Sequence, residues 1–162
     1  MTFTSVFLGD LVFTLPVGTF KNCTNLSSVF CGASLTNIAA NVFSNCPKMQ
    51  ELCFEGSPPG VASSAFEGAT SLVNHYIPGT PGWGSTLGGK PVRPWLPKIS
   101  VRRGESRPVI SVDWARGKEV VIEACSDLGA PFWTPVGTNT VPREYYPAND
   151  LAARFYRVRA DE

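Results

Sequence analysis

The sequence lacks any excess of charge, because 14 Lys and Arg residues stand against 13 Asp and Glu residues and leave a net charge of +1. Duplex nucleic acid is bound by a concentrated basic face, so this balance argues against a nucleic-acid partner. No run of about 18 apolar residues is present, so nothing predicts a membrane span. The N-terminus has no basic segment followed by an apolar run, and we expect any export signal to lie outside this sequence.

Histidine is nearly absent, since His75 is the single one among 162 residues. No CxxC spacing accompanies it, which argues against a zinc site, and no motif places a Ser or Cys nucleophile beside it. Two carboxylate pairs, Glu51 with Glu55 and Glu119 with Glu123, flank predicted strands. Solvated charges are commoner there than an acid/base pair of the kind glycosidases use. We therefore predict no catalytic residue, no metal site and no cofactor, and do not expect an enzyme.

Apolar residues recur with a period of 23. The register includes Phe20, Phe43 and Phe66, then Leu26, Met49 and Leu72, and also Cys23, Cys46 and Ala69. A fixed period of this length is typical of stacked repeats. Each repeat contributes one short strand, and consecutive strands form a parallel sheet on one side of a coil. The predicted strands are Ser5–Leu8, Ser28–Cys31, Glu51–Phe54 and Asn74–Ile77.

The repeat register is lost after Pro78. Residues 78–97 contain five Pro and five Gly, together with Trp83 and Trp95. Such a composition breaks regular structure. Two Trp side chains are a large apolar surface for a loop, so we predict that this segment caps the last repeat, with a loose linker as the alternative.

The remaining residues, 98–162, follow a different pattern. Apolar residues alternate in Val109–Trp114, Glu119–Cys125 and Arg154–Arg159, with shorter candidate strands at 132–136 and 144–146. Short alternating strands separated by turn residues predict a small antiparallel, sandwich-like β domain. We therefore divide the chain into a solenoid with its cap, 1–97, and a β domain, 98–162.

Five cysteines are an odd number, which excludes a full disulfide framework. Cys23 and Cys46 hold equivalent inward positions on stacked repeats, where parallel Cβ vectors disfavour a disulfide and a small apolar thiol fits. Cys31 and Cys53 are one position out of phase on neighbouring strands, so they face opposite sides of the sheet and cannot pair.

One outward row of the predicted sheet is aromatic. It consists of Phe7, Phe30, Cys53 and Tyr76. The polar residues Gln50, Glu51 and Asn74 lie nearby in the sequence pattern. Solenoid proteins bind ligands on such extended faces, so we predict that these aromatic and polar side chains contact a ligand. The same row is equally suited to packing against the tail domain, a neighbouring chain or a further repeat.

The repeats resemble BspA-like leucine-rich repeats, whose pattern runs A-F-x-x-C-x-x-L-x-x-I. The matching segments begin at Thr19-Phe20, Val42-Phe43 and Ala65-Phe66. The departures are Ala69 in place of Cys and His75 where Val29 and Leu52 stand, both in the last repeat, where atypical residues are expected. The Phe-x-x-Cys-x-x-Leu segment of each repeat is expected to form a short helical turn or a tight bend. The resemblance implies a leucine-rich-repeat solenoid, a parallel β-coil in which such turns connect the strands. It also implies a secreted or cell-surface bacterial protein.

The tail resembles a short C-terminal module of secreted proteins from environmental and gut bacteria. The matching features are Trp114, Ser126-Asp127-Leu128, Trp133-Thr-Pro-Val136 and Arg154-Phe-Tyr-Arg-Val158. Together the two resemblances imply a non-catalytic binding or adhesion fragment of a larger protein, with a protein or glycan ligand. The alternatives are a structural spacer or display module and an accessory module of an extracellular hydrolase. The N-terminal solenoid edge also offers a surface for self-association.

Overall fold

The computed structural model describes residues 4–103, 108–114, 118–140, 144–145 and 155–160. The chain divides into two compact units, Met1–Trp95 and Leu96–Glu162. The strands of the first unit are β1 (Ser5–Leu8), β2 (Thr14–Leu15), β3 (Ser28–Cys31), β4 (Asn37–Ile38), β5 (Glu51–Phe54), β6 (Gly60–Val61), β7 (Val73–Tyr76), β8 (Thr86–Leu87) and β9 (Lys90–Pro94).

The first unit is a solenoid of stacked parallel strands, as the 23-residue period predicts. Its main sheet has the order β1-β3-β5-β7-β9-β8, and a second sheet on the same coil has the order β2-β4-β6. The expected short helical turns do not form in the described part of the coil, where the Phe-x-x-Cys segments are tight turns instead. The cap segment supplies β9, which pairs in parallel with β7, and β8, which pairs with β9 as a hairpin.

The core of the coil is built on the predicted phenylalanine ladder. The ring centroids of Phe20 and Phe43 lie 5.4 Å apart, and those of Phe43 and Phe66 lie 6.0 Å apart. Phe43 and its periodic neighbours Leu26 and Met49 are fully buried. Each repeat alone has too little apolar surface to bury, so the ladder exists only because neighbouring turns cover one another.

Polar side chains also repeat from turn to turn on the exterior of the coil. Asn45 Nδ2 donates to Asn22 Oδ1 at 3.0 Å, and Lys48 Nζ donates to Asn25 Oδ1 at 2.9 Å. Asn22 and Asn45 both have a positive φ, of 63° and 57°, and Gly68 continues this row at 77°. Asn and Gly tolerate the left-handed conformation better than other residues, which explains their presence at these turns.

The last turn of the solenoid is one residue shorter than the period. Leu52 pairs with Asn74 and Phe54 with Tyr76, whereas the 23-residue spacing predicts His75 opposite Leu52. The last strand therefore begins one residue before the predicted one, at Val73. The prediction was wrong here because the periodic residues stay in register up to Leu72 and the deletion falls immediately after it.

Asn74 occupies the inward position that Leu52 holds one turn earlier, and solvent reaches 0 % of it. Its Nδ2 donates to the carbonyl oxygen of Leu87 at 3.1 Å. Its Oδ1 is buried and has no hydrogen-bond partner among the described residues. A buried polar group costs stability unless it is paired, so the amide stabilises the fold mainly by attaching the β8–β9 hairpin to the last turn.

The second unit consists of antiparallel strands, as the tail pattern predicts. They are β10 (Lys98–Arg103), β11 (Pro108–Asp113), β12 (Glu119–Cys125), β13 (Thr134–Thr140), β14 (Glu144–Tyr145) and β15 (Phe155–Ala160). They form two three-stranded sheets, with the orders β10-β11-β14 and β13-β12-β15. The sequence pattern did not predict β10, and Arg154 of the closing strand motif lies outside the described residues.

A charged cluster lies on the sheet β13-β12-β15. The side chain of Glu123 is almost fully buried and accepts hydrogen bonds from Arg157 Nε at 2.6 Å and Arg159 Nε at 3.5 Å. The guanidinium carbon of Arg157 lies 4.5 Å from the centroid of the Trp133 ring. The hydrogen bond from Arg157 holds the pKa of the Glu123 carboxyl below its usual value, with the nearby positive charges acting in the same direction and burial opposing them.

The lowered pKa of Glu123 predicts that the second unit loses stability in acid. A carboxyl group whose pKa is lower in the folded state stabilises the protein above its unfolded pKa, about 4.3 for Glu. That contribution disappears as the pH falls through the folded value. We expect Glu123→Gln to lower stability at pH 7 and to reduce the loss between pH 5 and pH 2 in urea titrations. The matched change Glu119→Gln, at an exposed position of the same strand, should leave both unchanged; equal curves for parent and Glu123→Gln would contradict the assignment.

Candidate functional site

The outer face of the main solenoid sheet has one continuous row of paired positions. The row runs through Phe7, Phe30, Cys53, His75 and Arg93. The sequence prediction placed Tyr76 in this row, and the register shows that this was wrong. Because side chains alternate along a strand, the missing residue in the last turn moves Tyr76 to the opposite side of the strand from this row.

Aromatic side chains form a strip across this outer face. Phe7 and Phe30 are stacked, with centroids 4.6 Å apart and an interplanar angle of 11°, and Phe7 is 66 % exposed. The ring centroids of Phe30 and Trp95 lie 5.7 Å apart. Trp95 directly follows β9, and β5 and β7 lie between β3 and β9. The Trp95 indole therefore reaches across the outer face toward β3, and Cys53 on the intervening strand β5 is buried. We call Phe7, Phe30 and Trp95 the aromatic strip.

Tyr76 belongs to the cap of the solenoid. Its ring stacks on Trp83, with centroids 5.5 Å apart, and Trp83 also packs against Phe54 at 5.1 Å. The indole nitrogen of Trp83 donates to the carbonyl oxygen of Gly56 at 3.2 Å. The segment after Pro78 thus closes the last turn, with one of its two Trp side chains inside the cap and the other on the outer face.

The three polar residues predicted to contact a ligand lie in different environments in the structure. Glu51 is half-buried at the start of β5, in the outward register beside Cys53, and Gln50 is exposed immediately before it. Asn74 is buried inside the coil and cannot contact a ligand on the outer face. Of the six predicted residues, Phe7, Phe30 and Glu51 thus share the outer face, and Gln50 lies at its edge.

Three residues of the outer face were not predicted from the sequence. His75 and Arg93 continue the paired row toward the cap, and Trp95 lies across it. His75 could have been found from its mismatch with the apolar positions of earlier repeats, since an outward position explains a polar residue better. No local pattern indicates that the Pro-rich segment contributes a parallel strand. The sequence therefore does not predict that Arg93 and Trp95 lie on the outer face.

The thiols of the solenoid are poorly suited to nucleophilic chemistry. Burial raises the pKa of the Cys31 thiol, and the neighbouring Cys53 and Glu55 raise it further. Burial also raises the pKa of Cys46, whose Sγ donates to the carbonyl oxygen of Phe20 at 3.0 Å. The thiolate is the reactive form, so these cysteines are core residues.

An open hollow of about 430 Å³ lies beside the last turn and the β8–β9 turn. Its lining includes Ser63, Glu67 and Lys90, and it is more polar than apolar. Small-molecule sites are mostly enclosed and apolar, so this hollow does not resemble one. No group of three or more potential metal-ligating side chains occurs within the described ranges.

Comparison with known proteins agrees with this architecture. The family model described as "BspA type Leucine rich repeat region (6 copies)" matches residues 2–81, which include the four strands β1, β3, β5 and β7. The solenoid of this chain belongs to the BspA-type leucine-rich repeat family. These repeats are non-enzymatic protein-interaction modules, typical of bacterial surface and secreted proteins.

No curated protein matches the chain significantly. Among the described residues, no helix is long and apolar enough to cross a membrane.

Proposed function

We propose that the solenoid is a non-catalytic adhesion module of a secreted or cell-surface bacterial protein and that its outer sheet face binds a protein ligand. The observation that carries this proposal is the aromatic strip, in which Phe7 and Phe30 form a stacked apolar surface and Glu51 has an outward position on the adjacent strand β5. Flat aromatic side chains provide a large contact area at low entropic cost, and interface hot spots are enriched in them.

The charge distribution on the same face supports a protein partner. Glu51 lies on β5, and His75 and Arg93 lie farther toward the cap, so polar groups of both signs follow the apolar Phe7–Phe30 surface on one side. Protein interfaces combine apolar contact surface with polar groups at its border. The position of Trp95 favours a second candidate, because a strip that packs within its own unit fits a spacer or display module.

The two candidates are distinguished by a binding screen followed by mutation. The intact chain is screened against protein and glycan arrays, and the affinity of any ligand is then measured for Phe7→Ala/Phe30→Ala. We expect the double change to weaken binding about 30-fold or more, the effect of losing a hot spot of roughly 2 kcal/mol. Phe132→Ala removes an exposed Phe from the second unit and is the matched control.

Both variants should have melting temperatures close to that of the parent, which would show that they are folded. An unchanged dissociation constant for Phe7→Ala/Phe30→Ala would show that the ligand does not bind to the outer face. If the arrays yield a glycan ligand, the proposal of a protein partner is wrong. If neither array yields a ligand, the spacer function is favoured.

A further inference from the structure

One face of the sheet β13-β12-β15 has exposed arginine and aromatic side chains around a buried carboxylate. In the antiparallel pairing of β12 with β15, Glu123 lies opposite Arg157, and Cys125 lies opposite Phe155. Residues that lie opposite one another point to the same face, and alternate residues of a strand share that face. Phe155, Arg157 and Arg159 therefore lie on the face of Glu123, and all three are exposed. We call this side of the sheet the arginine face.

The guanidinium group of Arg157 is held from two directions. Its Nε donates to Glu123 Oε2 at 2.6 Å, and its central carbon lies 4.5 Å from the centroid of the Trp133 ring. The ion pair directs the Nε edge of the guanidinium plane toward Glu123, and the cation–π contact restrains the group from a second side. A group that is already held in place loses less conformational freedom when it binds a further partner.

The Nη end of Arg157 is available to such a partner. A guanidinium group has five N–H donors, and Arg157 uses only Nε–H in a hydrogen bond within the described part of the chain. The side chain is 50 % exposed, so a ligand can reach the two Nη atoms. Two parallel N–H···O bonds from a guanidinium group match the two oxygens of a carboxylate.

The local charge fits one carboxylate and opposes a polyanion. The hydrogen bond from Arg157 lowers the pKa of Glu123, so this carboxyl is ionised at pH 7 and offsets one of the two positive charges of Arg157 and Arg159. Glu119 is exposed at the start of β12, and alternation places it on the arginine face as well. A nucleic acid or a heavily sulfated polysaccharide would bring several negative charges toward Glu119, whereas a single acidic side chain at Arg157 would not.

The spacing of the exposed side chains favours an extended peptide as the source of the carboxylate. Alternate residues of a strand lie about 6.8 Å apart, so Phe155, Arg157 and Arg159 form a row with this interval. An extended peptide has the same interval between the side chains on one of its sides. Phe155 is 37 % exposed and provides an apolar contact one interval from Arg157. A peptide with an acidic and an apolar residue two positions apart therefore matches both.

We propose that the arginine face is a docking site for an extended acidic peptide, in which Arg157 binds an Asp or Glu carboxylate and Phe155 contacts an apolar residue two positions away. Glu123 and Trp133 are positioning residues, because they hold the guanidinium group of Arg157. The site belongs to the second unit, so it does not depend on a ligand of the outer solenoid face.

Binding of two short peptides to the full chain tests the proposal. The probes are acetyl-Gly-Phe-Gly-Glu-Gly-amide and the same peptide with Gln in place of Glu, and NMR titration follows the indole N–H signal of Trp133. We expect the Glu peptide to bind about fivefold more tightly than the Gln peptide, the upper end for an exposed ion pair. Arg157→Gln should abolish this preference. Arg157→Lys should also reduce it strongly, because an ammonium group cannot form two parallel hydrogen bonds to a carboxylate.

The matched control is Arg103→Gln, which removes the same charge from an exposed position of β10 in the same unit. This variant should retain the preference of the parent. Thermal melts establish that each variant is folded. Arg157→Lys keeps a positive charge beside the buried Glu123, so it tests the site even if Arg157→Gln does not fold.

Equal affinities of the parent for the two peptides would overturn the proposal, as would a parent-like preference in Arg157→Gln or Arg157→Lys. An equal loss of preference in Arg103→Gln would show that net charge, and not the arginine face, selects the Glu peptide. Sodium glucuronate is the last probe: tighter binding of glucuronate than of the Glu peptide would mean that the carboxylate belongs to an acidic sugar, and the proposal of a peptide would be wrong.

Discussion

Replacing Phe43 by Ala should lower the free energy of unfolding of the first unit by about 3–5 kcal/mol, the usual range for a buried Phe. The ring is fully buried and lies between Phe20 and Phe66, at 5.4 and 6.0 Å. Its removal leaves a cavity that two rigid neighbouring turns cannot fill. Small domains are stable by only about 5–15 kcal/mol, so a large part of the solenoid's stability depends on this one ring.

Urea titrations of the full chain measure this effect, with Phe13→Ala as the matched control. Phe13 is mostly exposed, so its truncation should change the unfolding free energy of the first unit by less than about 1 kcal/mol. Coincident unfolding curves for Phe43→Ala and the parent would show that the ladder contributes little to the core.

The change Gly56→Ala should destabilise the first unit by about 3 kcal/mol or more, at the upper end of overpacking effects. A Cβ added at Gly56 would lie 2.2 Å from the carbonyl oxygen of Ala33 and 2.9 Å from its carbon. These are backbone atoms of the preceding turn, so no side-chain rotation relieves the clash. Displacement of the segment after β5 would also weaken the hydrogen bond from Trp83 to the Gly56 carbonyl.

The control for this substitution is Gly84→Ala, in the cap. An added Cβ at Gly84 meets no atom within 4 Å, and we expect a near-neutral effect. Tryptophan fluorescence is a second readout, because loosening of the cap should alter the environment of Trp83, one of the four Trp residues, in Gly56→Ala alone. A variant Gly56→Ala as stable as Gly84→Ala would mean that neighbouring turns separate more easily than the structure indicates.

The sequence predicted the stacked strands well because a periodic core constrains every turn in the same way. Ser5–Leu8, Ser28–Cys31 and Glu51–Phe54 are strands in the structure at the predicted bounds. The prediction for the last turn was wrong because this turn is one residue shorter than the period. The missing residue moves each following side chain of the strand to the opposite face. Asn74 thereby moved from the expected surface to the interior, and Tyr76 moved from the outer face to the cap.

The candidate site was only partly predictable for a different reason. Phe7 and Phe30 follow from repeat register and strand alternation, which are local properties. Trp95 lies 65 positions after Phe30 and reaches it only because the cap segment adds a strand to the sheet. No period or alternation within the segment specifies that docking, since it depends on hydrogen bonds between distant parts of the chain.

The turn-to-turn contacts have a consequence for how such a chain changes in length during evolution. Asn45 contacts Asn22, and Lys48 contacts Asn25, each across one full period. A tandem duplication or loss of 23 residues within this region recreates the same contacts at the new junction, so the array can lengthen or shorten without a new interface having to evolve. Cys53 pairs with His75, which lies 22 residues later in the chain. A duplication that includes this shorter turn would therefore disrupt the register of the strands. The contacts therefore predict that whole repeats can be gained or lost more easily before Leu72 than after it, so that the length of the coil can change while the cap stays the same.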